Sequence, residues 1–336
     1  MVTQNFPKST ADIVFYKIVY SDMLSISKNE IRSLVPMADA ITSMRKAFSD
    51  YSNGDYIVPE RMSMEIDNEN ATVLIMSAYR NKGQYFITKV VTVFQNTIKN
   101  RSSLISARVY VFNSSSGEMV ATLDGDTITS LRTGAVSGLA TMLLAKKDAS
   151  VAAVFGTGAQ AHTQIEAIIN SRSIDIVFVY SREIESAKFF SNYIIDTYSV
   201  NAKPGNLCDL HLADIICTAT PSTESLFKHE HIKKGAHINA VGSFKPVMRE
   251  IPSETIIEAK VVVDSLSSSK KEAGDLILAA KETQWSFDNI YSEIGQIASG
   301  KVSGRSNDNE ITIFKSVGLG IQDLAISELV LDRLNS

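Results

Sequence analysis

Apolar positions recur along this chain in three successive rhythms. From Ser27 they fall three or four residues apart, at Ile31, Leu34, Val35, Ala38, Ile41, Met44 and Phe48, until Asn53-Gly54 stops the pattern. That spacing lays one stripe along the face of a helix. Pro36 lies inside the run and has no amide hydrogen with which to continue a helix, so two helices are expected. The rhythm then shortens to strand-like runs at 72–78, 85–94, 107–112 and 119–123. They are divided by Asn81-Lys82-Gly83, a polar stretch from Asn96 to Ser103, and Ser114-Ser115-Ser116-Gly117. Connections this short predict an antiparallel sheet. Ahead of all this, Ile13 to Tyr20 reads as an extra strand or a docked extension.

After Asp124-Gly125-Asp126 the third rhythm begins. Thr133 to Lys146, rich in alanine, glycine and leucine, predicts a tightly packed helix. Buried-looking strands follow at 151–155, 174–180, 215–218, 237–241 and 261–264, with helical stretches at 161–171 and 183–198. Strands alternating with helices make a doubly wound parallel sheet, so the expected class is α/β. The tail from Ile311 to Gly320 leads into a helix over 321–334.

Composition narrows the partners more than the fold. With 336 residues, 44% hydrophobic and 21% charged, the chain can bury substantial cores. A net charge of -4 and a pI near 5.8, with no basic patch or tail, argue against nucleic acid or an anionic membrane as partner. Cys208 and Cys217 make neither a disulfide framework nor a zinc knuckle, and the expectation is a soluble, cytoplasmic protein without a membrane span.

The chemistry starts at Gly156-Thr157-Gly158-Ala159-Gln160-Ala161, where a strand turns into a helix. Gly156 permits the turn, Gly158 lets a pyrophosphate approach the backbone, and the free amides of the first helical turn attract its charge. At the end of the next strand, where an acidic side chain would hold the ribose of NAD, stand Ser181 and Arg182. A hydroxyl and a guanidinium suit a 2′-phosphate, so NADP(H) is the preferred cofactor, with NAD(H) admitted; Arg182 as a solvated loop arginine is the alternative. Lys89 interrupts an apolar strand and must face either solvent or a ligand. Arg132 could instead pair with Asp124 or Asp126, and Arg61 could be plain surface charge. His229 and His231 lack a third ligand, so no metal site is expected. Ser243 and Ser316 lack the setting of a nucleophile but stand beside glycines where a cofactor could approach.

Taken together, Leu123-Asp124-Gly125, Thr129 to Ala135, the Gly156 to Ala161 turn, Ile238 to Ser243, Glu272-Ala273-Gly274-Asp275 and Lys315 to Gly318 resemble the ornithine cyclodeaminase/mu-crystallin family. The resemblance runs from about Met23 to the end. It implies an α+β substrate-binding and dimerisation domain over 1–128, completed by 309–336, plus a Rossmann domain over 129–308, assembled as a homodimer. It implies that Arg61 and Arg132 hold a substrate carboxylate and that Lys89 is the catalytic group beside the reacting nitrogen. It further implies cofactor contacts from Thr133, Gly156, Thr157, Gly158, Ala159, Gln160, Ser181, Arg182, Thr218, Val241, Gly242, Ser243, Ser316 and Gly318.

One position departs from the cyclodeaminase pattern. Phe244 stands where those enzymes carry an aspartate that acts on the substrate amine, and a phenyl ring takes up no proton. The run Gly242-Ser243-x-x-Pro246-x-x-Arg249-Glu250 resembles the ketimine reductases and pyrroline-2-carboxylate reductases instead. The expected activity is NAD(P)H-dependent reduction of a small cyclic imino acid, Δ1-pyrroline-2-carboxylate or Δ1-piperideine-2-carboxylate, to proline or pipecolate. Cyclodeamination, amino-acid dehydrogenation, reductive or oxidative coupling of amino acids, and non-catalytic binding of NADP(H) or a small molecule are the rival readings.

Overall fold

The computed structural model describes residues 23–94 and 105–335, so the Ile13 to Tyr20 stretch and the Asn96 to Ser103 loop lie outside the described residues. Ser27 opens the first helix, α1 (Lys28–Leu34), where the Glu30 carboxylate accepts the Ser27 amide at 2.8 Å. Pro36 begins the second, α2 (Met37–Ser52), with Ala40, Ile41, Met44, Ala47 and Phe48 turned inward. The split at proline is as expected.

The mixed sheet that follows adds three short strands, missed in the sequence, to the four expected. Along the chain they are β1 (Leu24–Ile26), β2 (Tyr56–Ile57), β3 (Met62–Ile66), β4 (Ala71–Arg80), β5 (Tyr85–Phe94), β6 (Ile105–Asn113) and β7 (Met119–Asp124). The order is β1-β7-β6-β5-β4-β2, with β3 also paired to β4. All pairings are antiparallel except that of β1 with β7.

Helix α3 (Gly125–Leu144) starts directly after β7, well ahead of the expected Thr133. Asp124 caps it, accepting the Thr127 amide at 2.9 Å and hydroxyl at 2.6 Å. Only glycine fits at 125, because a Cβ there would sit 2.5 Å from the Ala107 carbonyl carbon. The helix is buried almost all round, from Ile128 and Leu131 through Leu139 and Leu144. A helix with no solvent face carries no stripe to read, which is why its first two turns escaped the periodicity.

Beyond it runs a parallel sheet. Its strands are β8 (Val151–Phe155), β9 (Ile176–Tyr180), β10 (Asn201–Pro204), β11 (Ile215–Thr218), β12 (His237–Ala240), β13 (Lys260–Val263), β14 (Ser292–Glu293) and β15 (Thr312–Lys315). They stand in the order β10-β9-β8-β11-β12-β15-β13-β14. Interleaved are α4 (Ala159–Ser171), α5 (Ile184–Tyr198), α6 (Ser253–Glu258), α7 (Leu266–Glu272), α8 (Gly274–Glu282) and α9 (Ile294–Ala298), before α10 (Gly320–Leu334). One boundary is corrected. Residues from 309 onward are expected to complete the first domain, yet β15 lies inside the parallel sheet, between β12 and β13. A four-residue strand buried along its whole length needs two neighbours for its amides and carbonyls, and the sheet supplies them. Only α10 then returns, packing on α2, α3, β4 and β5. Among the described residues no helix is long and apolar enough to cross a membrane.

Candidate active site

The chain crosses from the parallel sheet back to the mixed sheet at Ser316-Val317-Gly318, and the candidate site forms around that crossing. Side chains alternate along β5, with Tyr85, Ile87 and Lys89 on the buried face. Lys89 therefore points inward, at 1% exposure, and is not an outward strand lysine. Its Nζ lies 2.8 Å from each carboxylate oxygen of Asp323 and donates to Thr129 Oγ1 at 3.2 Å. Burial, reinforced by Arg132 and Arg61, outweighs the pull of Asp323 and brings its pKa down to about 8.

Arg132 projects from α3, is buried, and pairs with neither Asp124 nor Asp126. Its Nη1 donates to Gln322 Oε1 at 2.7 Å, and its Nε lies 3.4 Å from Asp323 Oδ1. Asp323 thus stands between the two cations. Gly318 explains how the guanidinium fits: with φ +86°, and with any Cβ forced to 2.4 Å from Arg132 Nη1, the position admits glycine alone. The loop itself hangs on Asp264 Oδ2, which accepts the Ser316 hydroxyl at 2.7 Å and the Val317 and Gly318 amides at 2.8 and 2.7 Å. Arg61 reaches the same loop from the other side, Nη2 donating to the Val317 and Gly318 carbonyls at 3.1 Å each. Its Nη1 lies 2.9 Å from Glu272 on α7.

The three cations read from the sequence are therefore brought to one place. Buried there, among the described residues, Arg61 Nε, Arg132 Nε and Gln322 Nε2 have no hydrogen-bond acceptor, while Asp323 Oδ2 and Glu272 Oε2 face cations, Lys89 Nζ at 2.8 Å and Arg61 Nη1 at 2.9 Å. Orphaned donors of this kind are rare in a finished core and fit a polar ligand bearing a carboxylate. A cavity of about 140 Å³, lined by Arg61, Met76, Glu272 and Gly318 among others, opens beside them. A wider, open hollow of about 840 Å³ lies around Lys147, Arg172 and Asp175 and contains none of the expected site residues.

The nucleotide turn lies at the end of β8. Gly156 takes φ +106°, and a Cβ there would fall 2.7 Å from the Ala219 carbonyl oxygen, whereas a Cβ on Gly158 would meet nothing within 4 Å. The backbone is thus open where a phosphate would come, and α4 begins at Ala159 with its first amides free. Thr157 is half-buried, and Gln160 Oε1 is buried without a partner. Ser181 and Arg182 are exposed at the end of β9, and Arg182 makes no ion pair among the described residues. These residues fit a dinucleotide.

Other expected cofactor contacts turn out to face inward. The Thr133 hydroxyl bonds the Thr129 carbonyl at 2.7 Å, and Val241 is buried. Thr218 donates to Glu250 Oε2 at 2.9 Å, and the Gly242 and Ser243 amides donate to the same oxygen at 2.8 and 3.1 Å. Ser243 Oγ bonds the Met248 carbonyl and the Asp275 amide. Asp275 in turn accepts the Glu250 and Ile251 amides and, at 2.9 Å, Lys315 Nζ. Thr218 and Ser316 thus donate their hydroxyls to internal carboxylates and Ser243 donates its own to a backbone carbonyl, so all three hydroxyl hydrogens are engaged within the walls of the site. The network binds one chain segment, 242–250, to the ends of β11, β12 and β15, with Phe244 half-buried in its middle.

Sequence reasoning missed Asp323, Gln322, Glu272 as a partner of Arg61, Asp264, Glu250 and Lys315. Asp264 carried a usable signal, an acid placed directly after the apolar run Val261 to Val263. So did Gln322-Asp323, two polar residues set between Ile321 and Leu324 on a helix whose other neighbours are buried.

The family model described as the ornithine cyclodeaminase/mu-crystallin family matches residues 21–336. The Δ(1)-pyrroline-2-carboxylate reductase of Bacillus thuringiensis is 40% identical over 314 residues, covering 93% of this chain and 96% of that relative. Among solved structures, Thermococcus litoralis Δ(1)-pyrroline-2-carboxylate reductase in complex with NADH and L-proline superposes with a TM-score of 0.89 at 33% identity, covering 93% of this chain and 98% of its own. An archaeal alanine dehydrogenase dimer with bound NAD gives 0.87 at 30% identity, covering 93% and 96%.

Proposed function

The chain belongs to the ornithine cyclodeaminase/mu-crystallin family, and from that premise we propose that it reduces small cyclic imino acids with a nicotinamide cofactor. Δ1-Pyrroline-2-carboxylate, giving proline, is the favoured substrate, as in the relatives above. The observation that carries the reading is the buried Lys89 ammonium between Asp323, Thr129 and the orphaned arginine nitrogens, in a chain with Phe244 where a cyclodeaminase has its aspartate.

When bound, the reduced nicotinamide supplies a hydride to the imine carbon. Gly156, Gly158 and the first turn of α4 would hold its pyrophosphate, and Ser181 with Arg182 the 2′-phosphate that makes NADP(H) preferred over NAD(H). Arg132 and Arg61 grip the carboxylate and set the ring plane. Lys89 Nζ donates a hydrogen bond, then a proton, to the ring nitrogen as it gains an electron pair. With a pKa of about 8 it is mostly charged at neutral pH yet releases its proton more readily than a solvated lysine. A second acid on a free amine is not needed. Two copies of the chain would pair through the mixed sheet, where Ile57, Met62, Met64 and Ile105 are exposed, in a reducing cytoplasm.

The test sets reduction of Δ1-pyrroline- and Δ1-piperideine-2-carboxylate by NADPH beside ammonia and proline release from ornithine with NAD. Imine reduction with little or no ammonia is expected. Ammonia release without imine reduction would reverse the reading, and tight NADPH binding with neither activity would make the chain a carrier.

A further inference from the structure

Two neighbouring ion pairs of opposite sense cross the cleft beside the substrate cavity. Glu60 meets Lys271, and Arg61 meets Glu272, so an acid-base pair from the segment before β3 faces a base-acid pair from the end of α7. The first is solvent-exposed and worth little. The second is different, because Glu272 lies within the cluster of unpartnered polar atoms.

The contact between Glu272 and Arg61 is a charge contact without a directed hydrogen bond. Glu272 Oε2 lies 2.9 Å from Arg61 Nη1 without meeting hydrogen-bond geometry, and the neighbouring Arg61 Nε has no acceptor among the described residues. Arg61 is otherwise well anchored through Nη2 on the Val317 and Gly318 carbonyls, so it does not need Glu272 to stay in place. Burial, with help from Asp264 and Glu60, raises the Glu272 pKa despite Arg61 and Lys271, which marks a carboxylate held where its charge is poorly solvated. A carboxylate in an imperfect contact with a guanidinium, on the wall of a cavity of about 140 Å³, occupies the place that a substrate carboxylate would want.

We propose that Glu272 is a built-in placeholder for the substrate carboxylate: it pairs with Arg61 before substrate binds and yields that guanidinium to the substrate. The inference rests on the reading of Arg61 as a substrate-binding residue. Its consequence is that the chain binds substrate more weakly than its arginines allow, since apparent affinity is reduced by the fraction of Arg61 already occupied. Glu272 then acts on binding and leaves the hydride step, which involves Lys89, to proceed as before. The same negative charge disfavours an acid with a second carboxylate reaching this wall, which selects monocarboxylates.

The test uses the full chain with NADPH and Δ1-pyrroline-2-carboxylate, together with calorimetric titration of L-proline in the presence of NADP+. Glu272→Gln keeps the shape and removes the charge; Glu272→Ala removes both and guards against a new contact made by the amide. In both variants KM and the proline Kd should fall by about three- to tenfold, with kcat altered less than about twofold and NADPH affinity unchanged. KM unchanged or raised in either folded variant would overturn the placeholder and make Glu272 a residue that orients Arg61. If the wild-type protein neither reduces the imine nor binds proline, it is the reductase reading that fails, and the placeholder falls with it.

Discussion

Replacing Asp323 with asparagine tests the electrostatic centre of the site. The carboxylate lies 2.8 Å from Lys89 Nζ and 3.4 Å from Arg132 Nε, and it is fully buried. At an effective dielectric constant of about 20, a charge pair 2.8 Å apart attracts by about 6 kcal/mol before desolvation is deducted. Removing one member of a buried pair costs about 3–5 kcal/mol, because the cation left behind has lost its compensation. Asparagine preserves the volume and can still accept a hydrogen bond, so the low end of that range applies. Part of the loss is avoided if Lys89 gives up its proton, and each pKa unit corresponds to about 1.4 kcal/mol. Lys89 is needed protonated, so wild-type kcat/KM should decline as pH rises through about 8. Asp323 favours the charged lysine; without it the lysine deprotonates at lower pH, and the basic limb of the profile should move down by about one to two pH units. The assay is kcat/KM for the cyclic imine from pH 5.5 to 9.5, with NADPH binding and urea unfolding followed in parallel. A basic limb left in place by Asp323→Asn, in a folded protein, would show that Lys89 is not the titrating group.

Three further substitutions probe separate parts of the site. Arg132→Lys keeps the charge but loses the planar grip, so KM for the imine should rise at least tenfold with NADPH affinity intact; normal turnover would make Arg132 structural. Gly318→Ala should reproduce that defect without touching the arginine, because its Cβ falls 2.4 Å from Arg132 Nη1 at φ +86°, and should lower stability by about 1–3 kcal/mol in chemical denaturation. Arg182→Ala should weaken NADPH by about 1.5–3 kcal/mol and NADH far less in paired titrations, whereas equal wild-type affinity for the two cofactors would remove the basis for an NADP preference.

What the sequence discloses and what it hides divide along physical lines. The antiparallel strands, the proline-split helices and the Gly156 turn are local devices, each marked by a period or by a residue with a special backbone, and all were legible. Lys89 was legible only in part. Its strand was clear, but whether it faced water or the core depended on partners 40 and 234 residues away, Thr129 and Asp323. No spacing rule reaches that far. The insertion of β15 between β12 and β13 was hidden for the same reason, since a short apolar run says that it is buried but not between which neighbours.

The residues that carry the family resemblance also mean something other than their sequence position suggests. Gly242 and Ser243 read as cofactor contacts, yet together with Glu250, Gly274 and Asp275 of the same motifs they close on one another. Glu250 collects the amides of Gly242, Ser243 and Thr220, a Cβ on Gly242 would fall 2.5 Å from Glu250 Oε1, and a Cβ on Gly274 would fall 2.1 Å from the Met248 carbonyl. Their joint effect is to fix the backbone of segment 242–250 by buried bonds at both ends, whatever stands at 244. The side chain at that position is thereby released from any part in holding the loop. An aspartate there and a phenylalanine there can ride on the same scaffold, one bringing a titratable group and the other withholding it. If position 244 acts as the resemblance implies, the chemistry can change there while the surrounding motif stays the same, and the phenyl ring of Phe244 is the basis for proposing reduction of a preformed imine.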